Sequence, residues 1–199
     1  NHDRYAQWSA KFDENSGARA SILAFKGDVY LGLSAQTMSK QDFTWAQKRL
    51  RVLSGLHGLL RRLDRSHPYR LDMGTALANA RGKDLYQFWG GKVTQALNET
   101  LAEQRSKVLI NLASNEYYKV VQPENIDGRI VTINFKEWRR EAYRFVSFSA
   151  KKARGLMARY MIDQRAEKAD DLKTFNVEGY AYNEELSSEH EWIFTRSIA

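Results

Sequence analysis

The sequence predicts a mixed α/β fold in which helices flank one central sheet. Short apolar runs rich in β-branched and aromatic residues recur along the chain, and longer stretches with helical signals alternate with them. Internal repeats and low-complexity tracts are absent, and only two prolines interrupt the 199 residues. No composition shift marks a domain boundary, so residues 1–199 are predicted to form a single domain.

The strand predictions rest on apolar, β-branched and aromatic runs. The predicted strands are residues 20–25, 108–112, two hairpin arms at 129–135 and 143–148, and short segments at 179–182 and 192–194. The polar stretch 136–142 is expected to connect the two hairpin arms.

Three helices are predicted from start signals. Ser39, followed by Asp42, resembles a capping box that opens a helix over residues 43–53. A second helix is expected from residues 83–84 to Leu101. Ser149 is expected to cap a third helix that runs to about Arg165.

The charge balance favours polyanionic partners. Lys and Arg total 31 against 24 Asp and Glu, which gives a net charge of +7.

With no cysteine, this chain cannot use disulfides, thiol catalysis or iron–sulfur ligation, and its four scattered histidines predict neither a metal nor another cofactor. No run approaches the ~18 apolar residues of a membrane span, so no membrane partner is expected. A start at Asn1 suggests a fragment or a processed product.

Residues 53–58 resemble the hairpin of a helix-hairpin-helix DNA-binding module. Two glycines three apart permit positive φ and close backbone approach, and a second helix over 59–63 would offer free N–H groups to phosphate. A turn in a plain helical hairpin with a solvated basic face is the alternative. The candidate DNA-binding residues of this segment are Ser54, Gly55, Leu56, His57, Gly58 and Arg61. Leu56 is expected to point inward and hold the two helices together.

The segment 149–161 reads as a core-docked helix with a cationic outer stripe. At about 100° per residue, the stripe contains Lys151, Lys152, Arg154, Arg159 and Arg165. Lysines at a helix N-terminus oppose its dipole, and a bound phosphate would offset that cost. Ordinary surface charge and a catalytic lysine are the alternatives.

Three further clusters contain site-type residues. Tyr69 and Arg70 lie beside a turn, residues 85–90 are unusually aromatic, and residues 111–117 follow a predicted buried strand. Aromatic side chains can stack on bases, although Phe88 and Trp89 are expected to pack in the core. No Walker A, GxGxxG or GxSxG pattern occurs.

Six blocks in order resemble the bacterial YaaA family of peroxide stress proteins. They are residues 25–30, 53–58, 68–71, 82–90, 111–114 and 150–155. The resemblance implies a cytoplasmic protein of the YaaA-type fold with a positively charged cleft. It also implies DNA binding through a helix-hairpin-helix and resistance to peroxide by limiting iron-dependent damage.

The resemblance assigns the hairpin to residues 53–58 and the basic residues of the cleft to Lys26, Arg70, Lys151, Lys152 and Arg154. Two departures stand out. A first strand and a Ser-Pro-Ala-Lys segment, with which family members begin, are not found here. Arg62 also stands where the family commonly has proline.

The leading hypothesis is a DNA-binding protein that holds DNA largely independently of sequence, with a preference for distorted or partly single-stranded forms. The second hypothesis is a lysine-dependent enzyme acting on damaged DNA or a nucleotide, with Asp28, Asp72 or Glu116 as acid or base. The third is iron sequestration by Asp170, Asp171, Glu184 and Glu185, which are otherwise expected to form a solvated acidic surface.

Overall fold

The computed structural model describes residues 17–197 and shows a mixed α/β protein. Its strands are β1 (Arg19–Ala20), β2 (Arg51–Ser54), β3 (Gly58–Arg61), β4 (Arg65–Ser66), β5 (Val108–Asn111), β6 (Arg129–Arg139), β7 (Ala142–Arg144), β8 (Ala181–Asn183) and β9 (Glu191–Ser197). Its α-helices are α1 (Ser21–Ala24), α2 (Asp28–Leu33), α3 (Lys40–Arg49), α4 (Leu85–Trp89), α5 (Lys92–Ala102), α6 (Asn115–Tyr118) and α7 (Ser147–Asp163). The expectation that the family's first strand and its Ser-Pro-Ala-Lys segment are missing lies outside the described residues.

A mixed sheet forms the centre of the molecule, with strand order β5-β6-β9-β8. β6 runs parallel to both β5 and β9, β8 is antiparallel to β9, and β7 folds back on the last residues of β6. Side chains alternate along β6, and every second residue from Val131 to Glu137 is buried. This alternation is what a strand with one covered face requires.

Helix α7 covers this sheet. Ala150, Ala153 and Met157 on α7 pack with Val131 and Phe135 of β6 in one buried cluster. A second cluster joins the end of α7 to α1, α2 and α3, and a third lies among α4, α5 and residues 117–126. An ion pair between Arg165 and Asp42 at 2.6 Å also ties the end of α7 to the start of α3.

Helices α2 and α7 cross at very short distance because each has a glycine at the crossing. A Cβ on Gly155 would lie 1.9 Å from the carbonyl oxygen of Val29, and a Cβ on Gly32 would lie 2.2 Å from that of Lys152. Only glycine permits this approach. The crossing holds α2 against the middle of α7.

The capping box is confirmed: the Ser39 hydroxyl accepts from Asp42 N, and the Asp42 carboxylate accepts from Ser39 N at 2.8 Å. The helix it opens ends at Arg49, however, and residues 51–54 form β2. The helix predicted over 83–101 is divided into α4 and α5 at Gly90 and Gly91.

Four strand and cap predictions need correction. The apolar run 20–25 forms α1, because pairing with β4 stops at Ala20; such runs suit either element. The stretch 136–142 is not a connection, since β6 continues to Arg139 and turns through two residues into β7. The second arm ends at Arg144, and α7 begins at Ser147, so Ser149 is not its cap. The strands predicted at 108–112, 179–182 and 192–194 are confirmed, although the last one continues three residues further, to Ser197.

The helix-hairpin-helix prediction is wrong for residues 51–63. β2 and β3 form an antiparallel hairpin that pairs Leu53 with Leu59, so no second helix begins at Leu59 and Leu56 has no helix pair to hold together. The Ser54 hydroxyl accepts from His57 N at 2.9 Å, and Gly58 has φ +72°. A short glycine-containing loop between two apolar arms is also a β-hairpin signal, and here that alternative is realised.

Candidate nucleic-acid interface

A large cleft with a volume of about 1760 Å³ lies between the N-terminal helices, the β2–β3 hairpin, β5 and one side of α7. Among the described residues that line it, ten are Lys or Arg and three are Asp or Glu. An excess of one sign of charge in a concave, low-dielectric site focuses the field and attracts the opposite charge. The cleft therefore favours anionic ligands.

Four of the predicted binding residues meet in this cleft. Lys26 comes from the loop before α2, Arg70 from the segment after β4, and Lys151 and Arg154 from α7. Lys26 lies two residues before α2, which packs against α7 at the glycine crossing. Lys26, Arg70 and Lys151 are exposed.

Arg154 differs from the other three because its side chain is buried, with 7% exposure. Its placement on the outer stripe of α7 was wrong; it turns into the cleft. Nε of Arg154 has no hydrogen-bond partner, and no carboxylate among residues 17–197 pairs with the guanidinium. Burial lowers the pKa of Arg154, because the charged form has lost water without gaining an anion. An oxyanion in the cleft would supply the missing partner.

An aromatic cluster lies in the same cleft. The rings of Phe25 and Tyr30 stack at a centroid distance of 5.6 Å and an angle of 24°, and Tyr69 meets Phe25 edge-on at 5.7 Å. Burial raises the pKa of Tyr30 above its ordinary value, with further effects from Tyr69 and Tyr117, so its hydroxyl stays protonated. Sequence reasoning missed Phe25 and Tyr30 as site residues, because Phe25 meets Tyr69 across more than forty residues of sequence and no local spacing reports that contact.

The β2–β3 hairpin supports the cleft rather than presenting phosphate-binding amides. Its strand residues Leu53 and Leu59 line the cleft, whereas residues 54–58 do not. The Ser54 hydroxyl hydrogen-bonds the Tyr69 hydroxyl, which fixes a ring of the aromatic cluster.

The turn itself is packed. A Cβ on Gly55 would lie 2.4 Å from the Leu71 carbonyl oxygen, and one on Gly58 would lie 2.8 Å from the Trp89 ring. Burial lowers the pKa of His57, which keeps it neutral near pH 7 and a weak phosphate ligand.

Three other predicted cations lie outside the cleft lining. Arg61 pairs with Asp64 at 3.0 Å. Lys152 pairs with Glu178. Arg159 pairs with Asp163 at 2.7 Å and donates to the Thr37 hydroxyl, so it joins α7 to the segment after α2. The predicted outer stripe of Lys151, Lys152, Arg154, Arg159 and Arg165 is therefore wrong as one shared surface, because Arg154 is buried and Lys152 and Arg159 are paired outside the cleft lining.

The carboxylates proposed for catalysis lie at different places. Asp72 lines the cleft, and the Tyr117 hydroxyl donates to it at 3.4 Å. Glu116 accepts from Gly74 N, and Asp28 begins α2.

Within residues 17–197, no three His, Asp or Glu side chains are grouped so that they could hold a metal ion, and Asp170 pairs with Lys173 at 2.7 Å. Within the same range, no helix combines the length and the apolarity needed to cross a bilayer.

Comparison with known proteins shows extended similarity. The model of the family described as "Peroxide stress protein YaaA" matches residues 1–186. A UPF0246 protein of Colwellia psychrerythraea is 51% identical over 196 residues, covering 98% of this chain and 76% of the relative. A UPF0246 protein of Ralstonia nicotianae is 53% identical over 199 residues, covering all of this chain and 77% of the relative.

Proposed function

Because this chain belongs to the YaaA family of peroxide stress proteins, we propose that it binds DNA in the basic cleft as part of a cytoplasmic response to peroxide. The observation that carries the proposal is the convergence of Lys26, Arg70, Lys151 and Arg154 from three separate segments on one concave surface. Phosphate contacts of this kind fix DNA in place without reading its sequence.

The binding mode differs from the one that the sequence suggested. The β2–β3 hairpin offers no helix N-terminus to phosphate, so the cleft cations supply the electrostatic attraction. Exposed Lys26, Arg70 and Lys151 meet the phosphates at the rim. Each phosphate that a cation neutralises releases condensed counterions, and this release makes affinity strongly dependent on salt.

The test is the affinity for a fluorescently labelled duplex, measured by anisotropy across a series of salt concentrations. Three or four phosphate contacts predict that log K falls by about 3 per tenfold rise in salt. Duplexes of unrelated sequence should give similar affinities and slopes. A slope near zero, or binding confined to one sequence, would show that the cleft is not a phosphate-binding site for DNA.

Protection from peroxide can be connected to the same surface. Covering DNA shields it locally, so protection of a plasmid from nicking by ferrous iron and peroxide should disappear at a salt concentration that releases the protein. Protection that survives at that salt concentration would favour iron sequestration and contradict the proposed role of the cleft. A buffer-only reaction at each salt concentration corrects for salt effects on the chemistry.

A further inference from the structure

Arg154 is buried in the cleft, whereas Lys26, Arg70 and Lys151 are exposed, so a phosphate must enter the cleft to reach Arg154. We infer that Arg154 binds the phosphate of one unpaired nucleotide that leaves the base stack and enters the cleft, with its base against the aromatic cluster of Phe25, Tyr30 and Tyr69. This inference rests on the proposed function, since it assigns a particular DNA form to the same cleft. It adds a binding site for one nucleotide, formed by Arg154 and the three aromatic rings.

Access is the first argument. Lys26 and Lys151 are exposed and can meet phosphates on the outside of a duplex, but Arg154 is only 7% exposed. The backbone of a paired duplex is held at the width of the double helix, so its phosphates meet exposed side chains rather than a buried one. A single nucleotide can, once it has given up its stacking.

The electrostatics of Arg154 give the second argument. A buried guanidinium without a partner carries an uncompensated desolvation cost, and Nε of Arg154 has no hydrogen-bond partner. The planar fork of donors on arginine matches two oxygens of a phosphate. A phosphate at this position would therefore satisfy a group that the protein itself leaves unsatisfied.

The aromatic cluster gives the third argument. Phe25 and Tyr30 already stack on each other, and Tyr69 holds the edge of Phe25. All three rings line the cleft together with Arg154, and each is only partly buried. Stacking of a base on an aromatic ring contributes about 1–3 kcal/mol and tolerates any base, which suits a site that does not read sequence.

The size of the cleft is consistent with this occupant. Its volume of about 1760 Å³ exceeds the ~300–1,000 Å³ typical of small-ligand pockets, so a nucleotide and part of the flanking strand can be accommodated. The rim cations then hold the flanking phosphates while Arg154 takes the phosphate of the inserted nucleotide.

The test compares a duplex with a one-nucleotide bulge against the same duplex fully paired, at fixed salt. Wild-type protein should bind the bulged duplex at least about tenfold more tightly. Arg154→Gln should lose that preference, so that it binds the bulged and the paired duplex with equal affinity. Arg159→Gln is the matched control, because Arg159 lies on the same helix but outside the cleft, and it should keep the preference.

A photocrosslink locates the base. With 5-iododeoxyuridine at the bulge, irradiation should attach the DNA to a peptide that contains Phe25, Tyr30 or Tyr69, as mapped by mass spectrometry. Crosslinks that map elsewhere, or none from a bound bulged duplex, would overturn the inference. Equal affinity for bulged and paired duplexes would also overturn it, yet would leave the proposed function standing. No salt-dependent binding to either duplex would refute the proposed function itself.

A competition experiment with wild-type protein keeps the test decisive if Arg154→Gln does not fold. Deoxyadenosine monophosphate should displace the bulged duplex at concentrations at least about tenfold lower than deoxyadenosine, because only the nucleotide carries the phosphate for Arg154. Equal potency of the two competitors would contradict the role of Arg154.

Discussion

Gly155 of α7 lies directly against the backbone of α2, opposite Gly32, and neither position has space for a methyl group. The Cβ of an alanine at 155 would sit 1.9 Å from the carbonyl oxygen of Val29. Lys26 lies two residues before α2 and Lys151 lies four residues before Gly155 on α7, so this contact joins the two segments that carry them. The crossing therefore links the packing of the protein to the charge arrangement of its cleft.

Gly155→Ala should destabilise the protein by about 2 kcal/mol, because overpacking against a backbone atom outweighs the better helix propensity of alanine. Urea unfolding measures the change. Gly91→Ala is the matched control, since Gly91 has φ −75° and a Cβ there would contact Gln122 at an ordinary 3.5 Å. Similar stability losses for both variants would mean that the α2–α7 crossing is not constrained by its glycines.

Lys151 and Lys152 are neighbours in sequence with different surroundings, which makes them a matched pair. Lys151→Gln should weaken duplex binding and reduce the salt slope by about 1, because one phosphate contact is lost. Lys152→Gln removes an amine that pairs with Glu178 outside the cleft lining and should leave the slope unchanged. Anisotropy titrations at several salt concentrations measure both. Equal effects of the two variants would count against the cleft as the binding surface.

The free energy of unfolding should depend on pH through the ionisation of Glu137. Burial acts to raise its pKa, but hydrogen bonds from Ser149, Arg196 and Arg139 outweigh that effect and lower the pKa from 4.5 to about 2. The ionised side chain, with 1% exposure, therefore stabilises the native state fully above pH 4.5, by about 3 kcal/mol. That contribution is lost as the pH falls from 4.5 to about 2.

Glu137→Gln should accordingly be much less stable than wild type at pH 7, and the difference should shrink steadily below pH 4.5. Urea unfolding at pH 7, 4 and 3 measures it. A difference that stays constant over this range would mean that the carboxylate charge does not contribute to stability.

Ser54 and Tyr69 should be coupled energetically through the hydrogen bond between their hydroxyl groups. Ser54→Ala should cost about 1–3 kcal/mol, because it leaves the Tyr69 hydroxyl without this partner and also removes the acceptor for His57 N. A double-mutant cycle with Tyr69→Phe should give a coupling energy of about 1 kcal/mol by urea unfolding. Additive effects would show that the hairpin does not hold Tyr69.

Local patterns predicted the elements whose determinants are local. The Ser39–Asp42 capping box needs only four consecutive residues, and the strand at 108–111 needs only a short apolar run. The segment 53–58 was ambiguous, because glycines three apart suit both a helical turn and a β-hairpin. Pairing of Leu53 with Leu59 decided between them, and the spacing of the glycines does not encode that pairing.

The site was predictable in part. The family resemblance assigned Lys26, Arg70, Lys151, Lys152 and Arg154 to one cleft, and all of them except Lys152 line it. Helical periodicity, however, placed Arg154 on the outer face. Periodicity assumes that charged residues face water, and it fails where a helix borders a cleft. The sequence also did not predict that Lys151 lines the cleft while Lys152 does not, since Lys152 pairs with Glu178 in a distant segment.

The ion pair between Arg165 and Asp42 closes a loop of more than 120 residues, and the α2–α7 crossing spans a similar distance. Such long-range contacts form late and slowly, because closing a long loop costs conformational entropy before the contacts stabilise the chain. In a chain still being synthesised, Lys26 and Arg70 are therefore present before α7 has packed to form the other side of the cleft. Nucleic-acid affinity of the kind proposed here should arise only when the last third of the protein has docked, so unfinished chains would not compete for the genome.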